Sequence, residues 1–171
     1  MKTRIIIATL AMAAVLAGSG LPSAGASGSG AAAGAVGTDG GGLSRREPGS
    51  EVWRRFLHDP EVKGTLPAKT VYALHTDAAG RIWIGTRAGL SRAIRDPAAP
   101  HGFVFEDTSA VTDLPRRAIY SIESDRHGAL WLGTSQGLLR FDPATPASAS
   151  FGETHGLQGD EFNFGASYGN A

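Results

Sequence analysis

Cysteine is absent from the chain. That excludes disulfides and thiolate metal sites but leaves the compartment open, since many exported domains also do without it. Neither sign of charge predominates: 16 Lys and Arg balance 16 Asp and Glu. The balance gives no argument for nucleic acid or an acidic surface as partner. Beyond the N-terminus, no stretch reaches the roughly 20 apolar residues that a bilayer span needs. The five histidines, His58, His75, His101, His127 and His155, are scattered without zinc-site spacing. No Gly-x-Ser-x-Gly elbow occurs, and no paired carboxylates converge. No catalytic residue, metal ligand or cofactor is therefore assigned. The basic pairs Arg45-Arg46, Arg54-Arg55 and Arg116-Arg117 read as solvated faces.

Glycine, by contrast, is abundant at 24 residues. It divides between an N-terminal low-complexity stretch and regularly placed turns. Residues 1–26 have the organisation of a cleaved secretory signal: Lys2 and Arg4, then an apolar run from Ile5 to Ala17, then Ala24-Gly25-Ala26 before the cleavage point. The run from Ile5 to Ala17 is short for a membrane span. Residues 27–50 are mostly Gly, Ala and Ser, then polar. Such a composition buries too little apolar surface to offset its ordering entropy, so a flexible linker is expected there. The folded region is expected over 51–171.

Within that region the chain repeats itself. Leu66 to Ala93 and Leu114 to Phe141 align without a gap. Leu66/Leu114, Pro67/Pro115, Tyr72/Tyr120, Asp77/Asp125, Gly80/Gly128, Trp83/Trp131, Gly85/Gly133, Thr86/Thr134, Gly89/Gly137, Leu90/Leu138 and Arg92/Arg140 are identical pairs. Each copy divides into strands and turns. Val71 to Thr76 alternates and is β-rich. Asp77 to Gly80 is a turn, in which Asp bonds forward to backbone amides and Gly supplies positive φ. Arg81 to Thr86 is a second strand centred on Trp83, Arg87 to Gly89 a second turn, and Leu90 to Ile94 a third strand. Phe103 to Glu106 is the expected fourth, and Phe151 is expected to start its counterpart in the second copy. A repeat of roughly 40–50 residues made of four short strands is the signature of β-propeller blades. The fold class is thus all-β: a partial propeller with two complete four-stranded antiparallel blades, 66–106 and 114–155, and partial blades at each end. Glu51 to Leu57 is expected to be an outer strand of an earlier blade. Residues 157–171 are expected to begin a further one, with Glu161 to Ser167 as its opening strand.

The pattern Asp77-x-x-Gly80-x-Ile-Trp83-Ile-Gly85-Thr86-x-x-Gly89-Leu90, repeated from Asp125 to Leu138, resembles the two-component regulator propeller repeat. The stretch Gly156 to Asn163 also resembles a segment of such sensors. The resemblance implies a periplasmic sensor region of a hybrid histidine kinase or diguanylate cyclase. A kinase or cyclase domain itself is not among these residues. A ligand is implied, either a small molecule such as a carbohydrate or a neighbouring protein, with no cofactor.

A residue recurring at the same place in both copies serves the geometry of the blade. Structural roles are therefore expected for Asp77, Gly80, Trp83, Gly85, Thr86 and Gly89, and for Asp125, Gly128, Trp131, Gly133, Thr134 and Gly137. The two tryptophans are expected to pack between neighbouring blades. Ligand contacts are expected where the copies differ: Arg87-Ala88, Ser135-Gln136, His75 with Glu123, and Arg126-His127. Two other readings compete with the sensor. One is an assembly module whose ring other chains complete; the other, disfavoured by the missing catalytic constellation, is a propeller lyase or hydrolase.

Overall fold

The computed structural model describes residues 5–8, 34–47, 50–145 and 147–159. They form three antiparallel four-stranded sheets, each a simple up-and-down meander. The first blade contains β1 (Ile5–Ala8), β2 (Gly34–Thr38), β3 (Gly42–Arg46) and β4 (Trp53–Phe56). The second contains β5 (Val71–Thr76), β6 (Ile82–Thr86), β7 (Gly89–Arg95) and β8 (Phe103–Asp107). The third contains β9 (Ile119–Ser124), β10 (Leu130–Thr134), β11 (Gly137–Asp142) and β12 (Ala147–Phe151). The inner strands and hairpins expected in the two repeats are present with closely matching bounds.

Two expectations need correction. First, the stretch read as a flexible linker over 27–50 holds β2 and β3, so blade structure begins before Glu51 and the first blade has four strands rather than a fragment. Its composition misled because the burial is shared with a neighbour: Ala35, Leu43 and Phe56 are buried against Leu66, Val71 and Ile82 of the second blade. A third, degenerate copy of the repeat was legible there. Val36-Gly37-Thr38 and Gly42-Leu43-Ser44-Arg45 match Ile84-Gly85-Thr86 and Gly89-Leu90-Ser91-Arg92. A longer turn and Ala35 in place of Trp83 obscure it. β1 also lies inside the segment read as a secretory signal and pairs with β2, Ile5 opposite Thr38. An Ile-rich run serves equally as an export signal or a strand, so the residue pattern alone does not separate the two. Second, Phe151 ends β12 rather than starting the outer strand. The connection into β12 is shorter than that into β8. Leu139 pairs with Ser150, whereas Ser91, at the matching place one repeat earlier, pairs with Asp107. The expected opening strand from Glu161 to Ser167 lies outside the described residues.

Two cores lie between blades. One holds Leu43 and Phe56 of the first blade with Leu66, Val71, Ile82, Ile84, Phe103 and Phe105 of the second. Phe56 meets Phe103 and Phe105 edge-on at 6.2 and 5.1 Å. The other holds Trp83 and Leu90 of the second blade with Leu114, Ile119, Leu130, Leu132, Leu139 and Phe141. Successive strand residues face opposite sides, so Ile82 and Ile84 enter the first core and Trp83 the second. Every residue of β6 is buried, as a strand sandwiched between two blades requires. In β10 the alternation returns, because Trp131 faces away from the second blade and is only half-buried.

What sets the spacing is glycine. A Cβ on Gly85 would lie 2.8 Å from the carbonyl oxygen of Ile119, and one on Gly37 would lie 2.5 Å from Val71 Cγ1. Both contacts join the second strand of one blade to the inner strand of the next. Gly85→Ala should therefore push the second and third blades apart and cost about 1–3 kcal/mol. Gly159→Ala, with open space around its Cβ, should leave the melting temperature unchanged; equal melting of both variants would refute the spacing argument. Trp83→Ala should cost about 3–5 kcal/mol by opening a cavity. Trp131→Ala should cost clearly less, since Trp131 has no blade on its outer side among the described residues. Denaturant unfolding of the two variants decides between them.

Candidate functional site

The recurring residues make the same hydrogen-bonded unit in the second and third blades. Asp77 Oδ1 accepts from the amides of Ala79 and Arg81 at 3.0 and 2.9 Å. Its Oδ2 accepts from Arg81 Nε at 2.6 Å and Trp83 Nε1 at 2.8 Å. One carboxylate thus closes the β5–β6 turn and fixes the indole that enters the next interface. Asp125 repeats this with the amides of His127 and Ala129 and with Trp131 Nε1 at 3.3 Å. Ala129 stands where Arg81 does, and Arg140 approaches Asp125 from β11 instead, at 3.7 Å. Gly80 and Gly128 close these turns at φ 78° and 84°, conformations that other residues adopt only with strain. At the opposite end of these two blades a buried threonine closes the hairpin. Thr86 Oγ1 donates to the Gly89 carbonyl at 2.9 Å and accepts the Ala88 amide at 3.1 Å. Thr134 does the same with Gly137 and Gln136 at 2.6 and 3.0 Å. Gly133 occupies the place of Gly85 in β10.

The variable residues do not come together. Arg87-Ala88 and Ser135-Gln136 sit in the β6–β7 and β10–β11 turns, at one end of the blades. Arg126-His127 sits in the β9–β10 turn at the other. His75 reaches across the interface to Ser124 Oγ at 3.0 Å. Burial lowers its pKa below 6.5, against the pull of Glu123 and Asp77; its role is to bridge blades. Tyr72 and Tyr120 are each bulged out of the inner-strand ladder, and their rings lie 5.3 Å apart across the blades. Among the described residues, no group of three or more His, Asp and Glu side chains is arranged to hold a metal. No helix among them is long and apolar enough to cross a membrane.

A cavity of about 140 Å³ lies between the second and third blades, lined by Trp83, Arg92, Glu106, Thr108, Thr112, Phe141 and Pro143. Arg92 Nη2 pairs with Glu106 Oε1 at 3.0 Å. Thr108 is 3% exposed. Two lining residues carry buried polar atoms without a hydrogen-bond partner, Arg92 Nε and Thr108 Oγ1. Sequence reasoning missed Glu106, Thr108 and Thr112 because they lie on the outer strand and the loop after it, outside the two aligned copies. Placing their counterparts requires the register of β12.

The Asp77 carboxyl links the scaffold to pH. Burial pushes it up, but hydrogen bonds from Trp83 and Arg81 outweigh this and hold it below the ordinary 3.8. A carboxylate depressed in the folded state contributes stability above its unfolded pKa, and that contribution disappears as pH falls through the folded value. Urea unfolding should therefore show wild type losing more stability between about pH 5 and 3 than Asp77→Asn loses. At neutral pH, Asp77→Asn should already be destabilised by about 1.5–3 kcal/mol. Parallel pH profiles would remove Asp77 from this role.

The two component regulator propeller family matches the chain twice, at residues 65–88 and 113–136. No curated protein matches it. Among solved structures, the extracellular domain of BT3049 from B. thetaiotaomicron, described as a hybrid two component system, superposes with a TM-score of 0.54 at 23% identity. The alignment covers 75% of this chain and 17% of that one. The extracellular domain of BT4673 from the same organism aligns at 18% identity over 70% of this chain and 22% of its own, with a TM-score of 0.37. The chain thus spans about a fifth of those domains, and the likeness to BT3049 speaks to fold. With Asp, Gly, Trp and Thr in the same places in both blades, residues 65–88 and 113–136 each match the two component regulator propeller repeat and lie on adjacent blades of a partial β-propeller.

Proposed function

We propose that the chain is part of an exported sensory propeller that detects a small molecule, or a neighbouring protein, for a two-component signalling protein. The observation that carries this reading is the double match to the two component regulator propeller, on blades whose scaffold residues correspond in role. The N-terminal pattern of Lys2, Arg4, the apolar run and Ala24-Gly25-Ala26 supports export. The extracellular domain of BT3049 supplies a precedent of the same fold. Its output, kinase or cyclase, would belong to other parts of the signalling system.

Export and β1 make opposed demands. Cleavage after Ala26 removes Ile5–Ala8 and leaves the inner edge of β2 open to another strand. The half-buried Trp131 likewise favours a further blade against the third, from the same chain or another. Mass spectrometry of the protein recovered from a bacterial periplasm should find a mature N-terminus at Ser27. Retention in the cytoplasm with Met1 in place would overturn the exported reading. Sequencing the DNA downstream should reveal further blades, a membrane helix and a kinase or cyclase. A locus without any such signalling gene would overturn the sensor reading.

A further inference from the structure

An open groove of about 170 Å³ lies between the outer strands of the first and second blades. Phe56 of β4 and Phe103, Val104 and Phe105 of β8 line it. The loop joining β4 to β5 closes one side with Leu57, Val62 and Lys63. That loop is held from within and from without. Thr65 Oγ1 reaches the carbonyls of Asp59 and Val62 at 2.9 and 3.0 Å. The Gly64 carbonyl accepts the Phe105 amide of β8 at 2.8 Å. The groove is therefore formed before anything enters it, as ligand sites usually are. Leu57 and Val62 nevertheless stay 54% and 52% exposed, an apolar rim left uncovered by the described residues.

The charged groups of the groove share one sign. Arg55 and Lys63 line it, and no lining residue is acidic. Both are exposed, and neither has an ion-pair partner among the described residues. Asp59 and Glu61 belong to the same loop but do not line the groove, and Asp59 Oδ1 is engaged by the Glu61 amide at 3.0 Å. His101, also a lining residue, has its Nδ1 3.1 Å from Arg54 Nη1. A guanidinium only donates, so Nδ1 accepts and the ring proton sits on Nε2 as a further donor. His101 stands at φ 61°, a conformation that glycine would take without strain. Its ring meets Phe56 edge-on at 5.8 Å. The imidazole is thus kept where a smaller residue would fit the backbone better, and two neighbours hold it. One repeat later Val111 stands where Lys63 does, so the cation is no part of the blade scaffold. A cavity of about 150 Å³ takes one benzene ring, so this groove, floored by aromatic rings, accommodates one phenyl ring or a branched chain of similar size. Cations without an acid beside them call for one anionic group at the rim, and the two oxygens of a carboxylate accept from separate donors at once. We infer that the groove binds a small apolar carboxylate, an aromatic or branched-chain acid with its ring or chain on the phenylalanines and its carboxylate at Lys63. The inference rests on the ligand-binding reading above and gives it a site and a ligand class.

The test uses the full chain labelled with nitrogen-15. Benzoate, phenylacetate and isovalerate are titrated in turn, each beside its own amide as the uncharged match, and D-glucose serves as a polar probe. At least one acid should shift the Lys63 and Gly64 amide signals saturably while Gln136, in the β10–β11 turn, stays still. Its amide should bind about tenfold more weakly, having lost the charge. Lys63→Met should weaken binding of the acid about threefold and Lys63→Glu about tenfold. Neither should alter the melting temperature, because Lys63 is exposed. The absence of a saturable shift with every acid, an amide that binds as tightly as its acid, or a Lys63→Glu variant that binds as wild type does would overturn the assignment. Saturable binding of glucose alone, with Lys63 and Gly64 unmoved, would overturn this groove yet leave the ligand-binding reading standing.

Discussion

The arrangement depends on how closely one blade's second strand approaches the next blade's inner strand. Gly37 against Val71 and Gly85 against Ile119 are the same contact made twice, one repeat apart. Without a Cβ at these points, two sheets meet backbone to side chain. That proximity lets Leu66 and Leu114, each just ahead of an inner strand, be buried between blades at 1% and 3% exposure. The cores between blades form because this distance is fixed first; a methyl group at the contact would hold open a gap that the aliphatic residues are not large enough to fill.

Given that spacing, the aspartate unit decides what enters the gap. Asp77 closes a turn with one oxygen and holds the Trp83 indole with the other. Turn geometry and interface packing are thereby coupled through one side chain. A charged acceptor this buried is stable only because its acceptor sites are used. Its recurrence at Asp125 shows the same logic in the third blade, with Arg140 standing in for Arg81. The first blade has Ala35 at the place of Trp83 and is filled instead from the outer strands, by Phe56 against Phe103 and Phe105.

Much of this was legible in the sequence, and the reasons for the remainder are physical. Asp, Gly, Trp and Thr recur because each answers a local demand, so two blades, their strands and their turns could be read directly. The first blade escaped because a strand made of Gly, Ala and Val carries little hydrophobic signal of its own; its burial comes from neighbours distant in sequence. The outer strands escaped because loop length, not residue type, sets their register. The step from Asp142 to Ala147, joining β11 to β12, is shorter than that from Arg95 to Phe103, joining β7 to β8, so the repeat period fails there. That Trp131 has no blade on its outer side among the described residues is likewise something no repeat motif encodes.

The same failure of the period identifies where a propeller of this kind is free to change. Inner strands and hairpins are constrained on both faces and at both ends, so the recognisable residues are committed to spacing, turns and burial. The outer strand is paired on one edge only, and a shift in its register replaces every residue laid over the tryptophan without disturbing the glycine contact or the aspartate unit. Glu106 and Thr108 in one blade and Ala149 and Phe151 in the next show that exchange already made within one chain. One blade lays an aromatic ring over its tryptophan, and the other places a buried threonine at the matching position. The outer strand can thus vary from blade to blade at little cost to the scaffold, because the residues that differ are those the spacing does not depend on.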